Sequence, residues 1–189
     1  LRAAGASGAF GKGEFAVLTL HRPSNVDQEH TLRQLLQTVN DVARRLPVVF
    51  PLHPRTRGRV EHFKLDRLLA QPNIHLLPPQ GYLQMLGLMR DARFVFTDSG
   101  GIQEETTALG VPCLTLRENT ERPITVEEGT NTIVGSAREA IMAGVDDILA
   151  TGGKAGRVPE YWDGRAAERI VAHLGPWLPG RAPKQAAVA

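Results

Sequence analysis

Apolar and polar positions along the chain follow two periods. Short apolar runs of strand type lie at residues 15–20, 48–52, 74–77, 94–97 and 113–116, with a further one near 132–134. Between them the period is helical. Leu32, Leu35, Leu36, Val39, Val42, Ala43 and Leu46 recur at the spacing of one buried helix face. Further helices are predicted from Pro54 to about Ala70, from about Tyr82 to Asp91, after Gly101 up to a stop at Gly110 and Pro112, over about 137–151, and over 165–174.

Strands that alternate with helices predict an α/β fold. The sheet is Rossmann-like and parallel, with helices on both faces, because right-handed crossovers place them there. The strands are nearly all apolar, as expected where both faces are covered. Polar clusters fall at their carboxyl ends: residues 21–25, 53–57, 98–101 and 117–122. In open α/β sheets ligands bind along that edge. The unusual polar residues therefore sit where such a fold places a site.

A length of 189 residues allows one domain with a true core. Residues 14–178 are expected to form it, with a small, glycine-rich linker or boundary at 1–13 and a disordered tail at 179–189. The linker reads as a join to something upstream, in a longer protein. With 42% hydrophobic and 22% charged residues and no apolar run of spanning length, no membrane segment is predicted. Basic residues exceed acidic ones by only two, so nucleic acid is not implied. Cys113 alone excludes an internal disulfide and any cysteine-rich zinc site, and fits a reducing cytoplasm. No histidine cluster has zinc spacing, so neither metal nor cofactor is expected.

The strongest chemical signal is residues 94–105, FVFTDSGGIQEE, a strand that turns through Ser99, Gly100 and Gly101 straight into a helix. Amides at a helix start are unpaired, and the helix dipole adds roughly half a positive charge there. Two residues without Cβ let a phosphate approach them, and the Ser99 hydroxyl adds a donor. This is the pattern of a diphosphate cradle, with a plain tight connection as the competing reading. It is neither a Walker loop nor a G-x-G-x-x-G fingerprint. Glu105 is placed to accept hydrogen bonds from ribose hydroxyls, whereas Glu104 reads as favourable charge near a helix start.

His21 and Arg22 follow the first strand; His53 and Arg55 follow the second. Each histidine alone is an ordinary loop residue. Together they suggest charge stabilisation or proton donation toward a departing phosphate. Arg122, in the charged segment after the fifth strand, can clamp phosphate oxygens or sit in a solvated turn. Cys113 reads as inert core.

Four segments in order, LTLHRPSNVD at 18–27, FPLHPRTR at 50–57, TDSGGIQEE at 97–105 and TERPITVEEGTNTIVG at 120–135, resemble the UDP-N-acetylglucosamine 2-epimerase family. The resemblance implies one half, the C-terminal one, of a GT-B-type two-domain fold. It implies that Ser99, Gly100 and Gly101 hold the UDP diphosphate, that Glu105 holds the ribose and that Arg122 lies beside the nucleotide. His21 is then the catalytic histidine near the diphosphate. Arg22 and His53 match positions that contact a second, activating UDP-sugar in some members. Met85 stands where many relatives carry Phe beside the uracil, so backbone bonding to the base survives but stacking does not.

The activity so implied is interconversion of UDP-GlcNAc and UDP-ManNAc, in cell-envelope polysaccharide synthesis, with a UDP-sugar and the N-terminal half as partners and a homodimer when intact. A hydrolysing epimerase, a GT-B glycosyltransferase domain and a noncatalytic nucleotide-binding fragment remain alternatives. The carboxylates expected to work at C2 belong to the N-terminal half, so this chain alone is expected to be inactive.

Overall fold

In a computed structural model, which describes residues 10–177, six strands form one parallel sheet. They are β1 (Ala16–Thr19), β2 (Val48–Pro51), β3 (Ile74–Leu77), β4 (Phe94–Thr97), β5 (Cys113–Thr115) and β6 (Asn131–Ile133). Their order is β3-β2-β1-β4-β5-β6. Every neighbouring pair is parallel, with Ala16 opposite both Val48 and Phe94. The expected Rossmann-like sheet is therefore the one observed. The tail expected at 179–189 and most of the linker expected at 1–13 lie outside the described residues.

Alternation along β1 explains why helices cover both faces, because successive side chains leave a strand on opposite sides. Ala16 and Leu18 join Phe50, Phe94, Phe96 and Leu114 on one face. There they meet α2 (Glu29–Ala43) through Leu32, Leu35, Leu36 and Val39, and α8 (Arg138–Thr151) through Ile141, Val145 and Ile148. Phe15 and Val17 join Val49 and Val95 on the other face, against Leu88 and Met89 of α5 (Tyr82–Asp91). The helical repeat read from Leu32 to Leu46 is buried at every position. Burial of a Leu or Phe contributes roughly 1.5–3 kcal/mol each, which makes this face the main support of the sheet.

The helix after β4, α6 (Gly100–Leu109), ends at Gly110 in the left-handed conformation, φ +68°, as its sequence predicts. Two local expectations differ. The helical stretch from Pro54 to Ala70 is two helices, α3 (Pro54–His62) and α4 (Asp66–Leu69), because Lys64 between them takes φ +56°. The polar segments at 21–25 and after Arg122 are not wholly loop: they begin the short helices α1 (Pro23–Val26) and α7 (Pro123–Glu127). Among the described residues the chain divides into two compact units, one up to residue 158 and one from residue 159. In the second, α9 (Ala166–Leu174) is tied at its start by the Arg169 to Asp163 ion pair.

Candidate functional site

β1 and β4 lie side by side at the centre of the sheet, and the chain leaves them in opposite directions around it. Such a switch point opens a crevice at the strand ends. Thr19, His21, Pro51, His53, Met85, Ser99 and Ile102 line one cleft there. Three of the candidate cations share a local device. Arg22, His53 and Arg122 each stand immediately before a proline that starts a helix. Proline favours an extended conformation in the residue before it, and Arg22 and His53 adopt it, with ψ of 139° and 141°. Side chains at the strand ends are thereby held at fixed exits.

The Ser99–Gly101 turn is open. Ser99 is the N-cap of α6, yet its side chain makes no capping bond. Its own N–H donates to Thr97 Oγ1 at 3.0 Å. The N–H groups of the first helical turn have no acceptor within the helix. A Cβ built on Gly101 would meet nothing within 4 Å, and one on Gly100 would meet only Glu121, at 3.8 Å. Glu121 does not cap the turn. Its carboxylate is gripped at 2.6 and 2.8 Å by Arg117 and at 3.3 Å by Arg22, which hold it down to a pKa of about 2. Unshielded amides at a helix start can hold an oxyanion.

Beneath the cleft lies a residue the sequence reading passed over. Asp98 is fully buried and accepts the backbone N–H of His21 at 3.0 Å and that of Arg22 at 2.9 Å. It also accepts Asn25 Nδ2 at 3.3 Å, and its Oδ1 stands 3.0 Å from His21 Nδ1. Burial pushes its carboxyl upward, but these bonds outweigh it and hold it below the ordinary 3.8. With Nδ1 donating to Asp98, His21 keeps Nε2 for the cleft. His53 is held the opposite way. Its Nδ1 accepts the N–H of Arg55 at 3.2 Å, so the neutral ring carries its proton on Nε2. The two rings stand 5.3 Å apart, between centroids. One histidine is thus oriented by a carboxylate and the other by an amide.

The remaining candidates fall around this pair. Arg22 bridges the cleft floor and rim, with Nε donating to the Asp98 carbonyl at 3.1 Å. Arg122 lies 3.0 Å from Glu104, so Glu104 does more than complement the helix dipole: it anchors the arginine. Glu105 makes no hydrogen bond or ion pair among the described residues, and burial followed by the charge of Glu104 raises its pKa. It is a free acceptor one turn along α6. Met85 packs partly buried at the cleft wall. Arg55 belongs elsewhere, bound with Arg59 to Asp27. Cys113 is buried, its pKa pushed up to about 12 by that burial. Among the described residues no helix is long and apolar enough to cross a membrane.

A family profile described as UDP-N-acetylglucosamine 2-epimerase matches residues 2–175. The UDP-N-acetylglucosamine 2-epimerase of Methanocaldococcus jannaschii is 39% identical over 161 residues, which are 84% of this chain and 43% of that protein. The UDP-2,3-diacetamido-2,3-dideoxy-D-glucuronate 2-epimerase of Pseudomonas aeruginosa is 37% identical over 178 residues, 92% of this chain and 48% of the relative. The crystal structure of the M. jannaschii enzyme in complex with UDP-GlcNAc and UDP superimposes with a TM-score of 0.79 at 37% identity, over 87% of this chain and 46% of that one. The chain thus spans less than half the length of these relatives.

Proposed function

The chain belongs to the UDP-N-acetylglucosamine 2-epimerase family, and from that premise we propose that it is the C-terminal, UDP-binding half of a non-hydrolysing UDP-GlcNAc 2-epimerase with a GT-B-type fold. The nucleotide-binding domain is residues 14–178. The observation that carries this reading is the open Ser99–Gly101 turn in one cleft with His21, His53 and Met85. The amides and the Ser99 hydroxyl hold the diphosphate, Glu105 the ribose hydroxyls, and Arg122 the nucleotide flank.

In this mechanism a base removes the proton at C2 of the sugar while the C1–O bond breaks, and UDP leaves with the electron pair to give a 2-acetamidoglucal. UDP then adds back to C1 as C2 takes a proton on the opposite face. This half serves the leaving-group end. Helix amides and the His21 imidazole stabilise the charge that develops on the departing diphosphate and keep UDP from escaping. His21 is poised for it because Asp98 fixes its ring and leaves Nε2 facing the cleft. Arg22 and His53 contact either the substrate or a second UDP-sugar. The carboxylates that act at C2 belong to the absent N-terminal half, so the chain alone turns over nothing.

Product analysis of the full-length protein tests the assignment: interconversion of UDP-GlcNAc and UDP-ManNAc supports it, and free ManNAc with UDP assigns the hydrolysing branch instead. A second reading, a UDP-2,3-diacetamido-glucuronate 2-epimerase, is favoured by the 37% identity to the P. aeruginosa relative. The same assay with that sugar nucleotide separates the two. On this proposal the intact enzyme is a cytoplasmic homodimer that supplies cell-envelope polysaccharide synthesis.

A further inference from the structure

Behind the cradle lies a buried polar chain with no part in the chemistry above. Gln103, on the first turns of α6, is fully buried. Its Nε2 donates to the Ser99 carbonyl at 3.2 Å, while its Oε1 accepts Thr120 Oγ1 at 2.5 Å and Asn131 Nδ2 at 3.1 Å. Asn131, fully buried at the start of β6, is fixed in turn because its Oδ1 accepts Thr115 Oγ1 at 2.6 Å. Its Nδ2 also donates to Thr125 Oγ1 at 3.1 Å. Both ends of this chain close on one residue. Thr120 Oγ1 accepts the N–H of Arg122 at 2.9 Å, and Thr125 Oγ1 donates to the Arg122 carbonyl at 2.7 Å.

The polarity is consistent throughout, since the Thr120 and Thr125 hydroxyls both give and receive, the Thr115 hydroxyl gives, and each amide group uses its oxygen as acceptor and its nitrogen as donor. A hydrophobic core would support α6 equally well, and a buried polar network is costly unless every member is satisfied. What this network adds is direction. It ties the carbonyl of the residue that opens the cradle to both backbone groups of the arginine at its flank.

We infer that Gln103 is a positioning residue that holds the Ser99–Gly101 turn and the Arg122 backbone in register, so that both meet one diphosphate. The inference rests on the reading of that turn as a diphosphate grip. Gln103 touches no ligand itself. Its loss should loosen the phosphate end of the site and leave the base end, at Met85, unaffected.

The test is titration of the whole 189-residue chain with UDP and with uridine, in parallel, for wild type, Thr120→Val and Gln103→Glu. Thr120 is only half-buried, so its substitution cuts the link without hollowing the core. Thr120→Val is expected to weaken UDP about tenfold and uridine less than twofold, a tenfold change being 1.4 kcal/mol. In Gln103→Glu an ionised carboxyl faces the Ser99 carbonyl and repels it. At about pH 8 UDP should bind weakly relative to wild type, whereas near pH 5 the protonated carboxyl can donate as Gln103 does and the deficit should close. Equal losses for UDP and uridine, an unchanged UDP affinity in both variants, or a deficit independent of pH would overturn the positioning role. A wild-type chain that binds uridine but gains nothing from the diphosphate would remove the reading beneath it, and is seen before any substitution is made.

Discussion

Asp98 Oδ1 stands 3.0 Å from Nδ1 of His21, and the same carboxylate takes the backbone N–H groups of His21 and Arg22. One buried side chain of the fourth strand end thus fixes both the backbone and the ring of the first. Asp98→Asn replaces an acceptor oxygen by a donor that faces N–H groups. It is expected to cost on the order of 3 kcal/mol, measured by urea unfolding at neutral pH. A variant as stable as wild type would show that the carboxylate does not hold this corner.

The same group sets a pH dependence. Its folded pKa lies below the ordinary 3.8, so the stability it contributes is present above that value and is lost as pH falls through the lower, folded one. Wild type should therefore destabilise in acid below about pH 4 more steeply than Asp98→Asn, which has no charge to lose. Unfolding free energies between about pH 2 and 7 provide the comparison.

Gly101 offers opposite signs in two measurements. Nothing lies within 4 Å of a Cβ built there and its backbone is not left-handed, so Gly101→Ala fits and raises helix stability by up to about 0.5 kcal/mol. The added methyl, however, occupies the approach of a phosphate to the amides. UDP affinity should fall about tenfold or more while the melting temperature holds or rises. Unchanged affinity would mean that the anion does not approach the turn.

Glu105 has no partner among the described residues, and its burial is tolerated only at a raised pKa. If it receives ribose hydroxyls, Glu105→Ala should weaken UDP about tenfold and leave 2′,3′-dideoxy-UDP unchanged, because a charge-assisted hydrogen bond contributes roughly 1.5–3 kcal/mol. Calorimetry with the two nucleotides reads the difference directly.

Cys113 provides a control on the fold. A buried thiol with its pKa pushed up to about 12 should resist iodoacetamide in the native chain and react fully in urea. Native labelling would place β5 outside the sheet.

The alternation of strands and helices is legible in the sequence because each element buries a face of constant period. The repeat from Leu32 to Leu46 and the apolar runs at Phe94–Thr97 and 48–52 coincide with buried positions. Helices of four or five residues carry no period, so Pro23–Val26 and Pro123–Glu127 read as loop, although a proline at the first position of each is the available signal. The break at Lys64 has no such signal, since the left-handed residue that closes a helix end is usually glycine and here is a lysine.

Within the site, the Ser-Gly-Gly turn is legible because its chemistry is local. Asp98 and Gln103 are not, because what they do depends on partners far along the chain: Asp98 on residues 73 to 77 positions away, Gln103 on Thr120 and Asn131 at 17 and 28. A buried carboxylate in a turn and a glutamine in a helix look unremarkable until the sheet brings β1, β4 and β6 together. The partner of Glu104, Arg122, is hidden for the same reason.

The open turn after the fourth strand presents peptide N–H groups, which no alanine substitution removes. Alanine scanning of this molecule would consequently report on the hydroxyl, carboxylate and imidazole around the turn and pass over these nitrogens. Replacing the Gly100–Gly101 amide by an ester, through chemical ligation, deletes one donor while keeping every side chain, and would weigh what alanine scanning cannot reach.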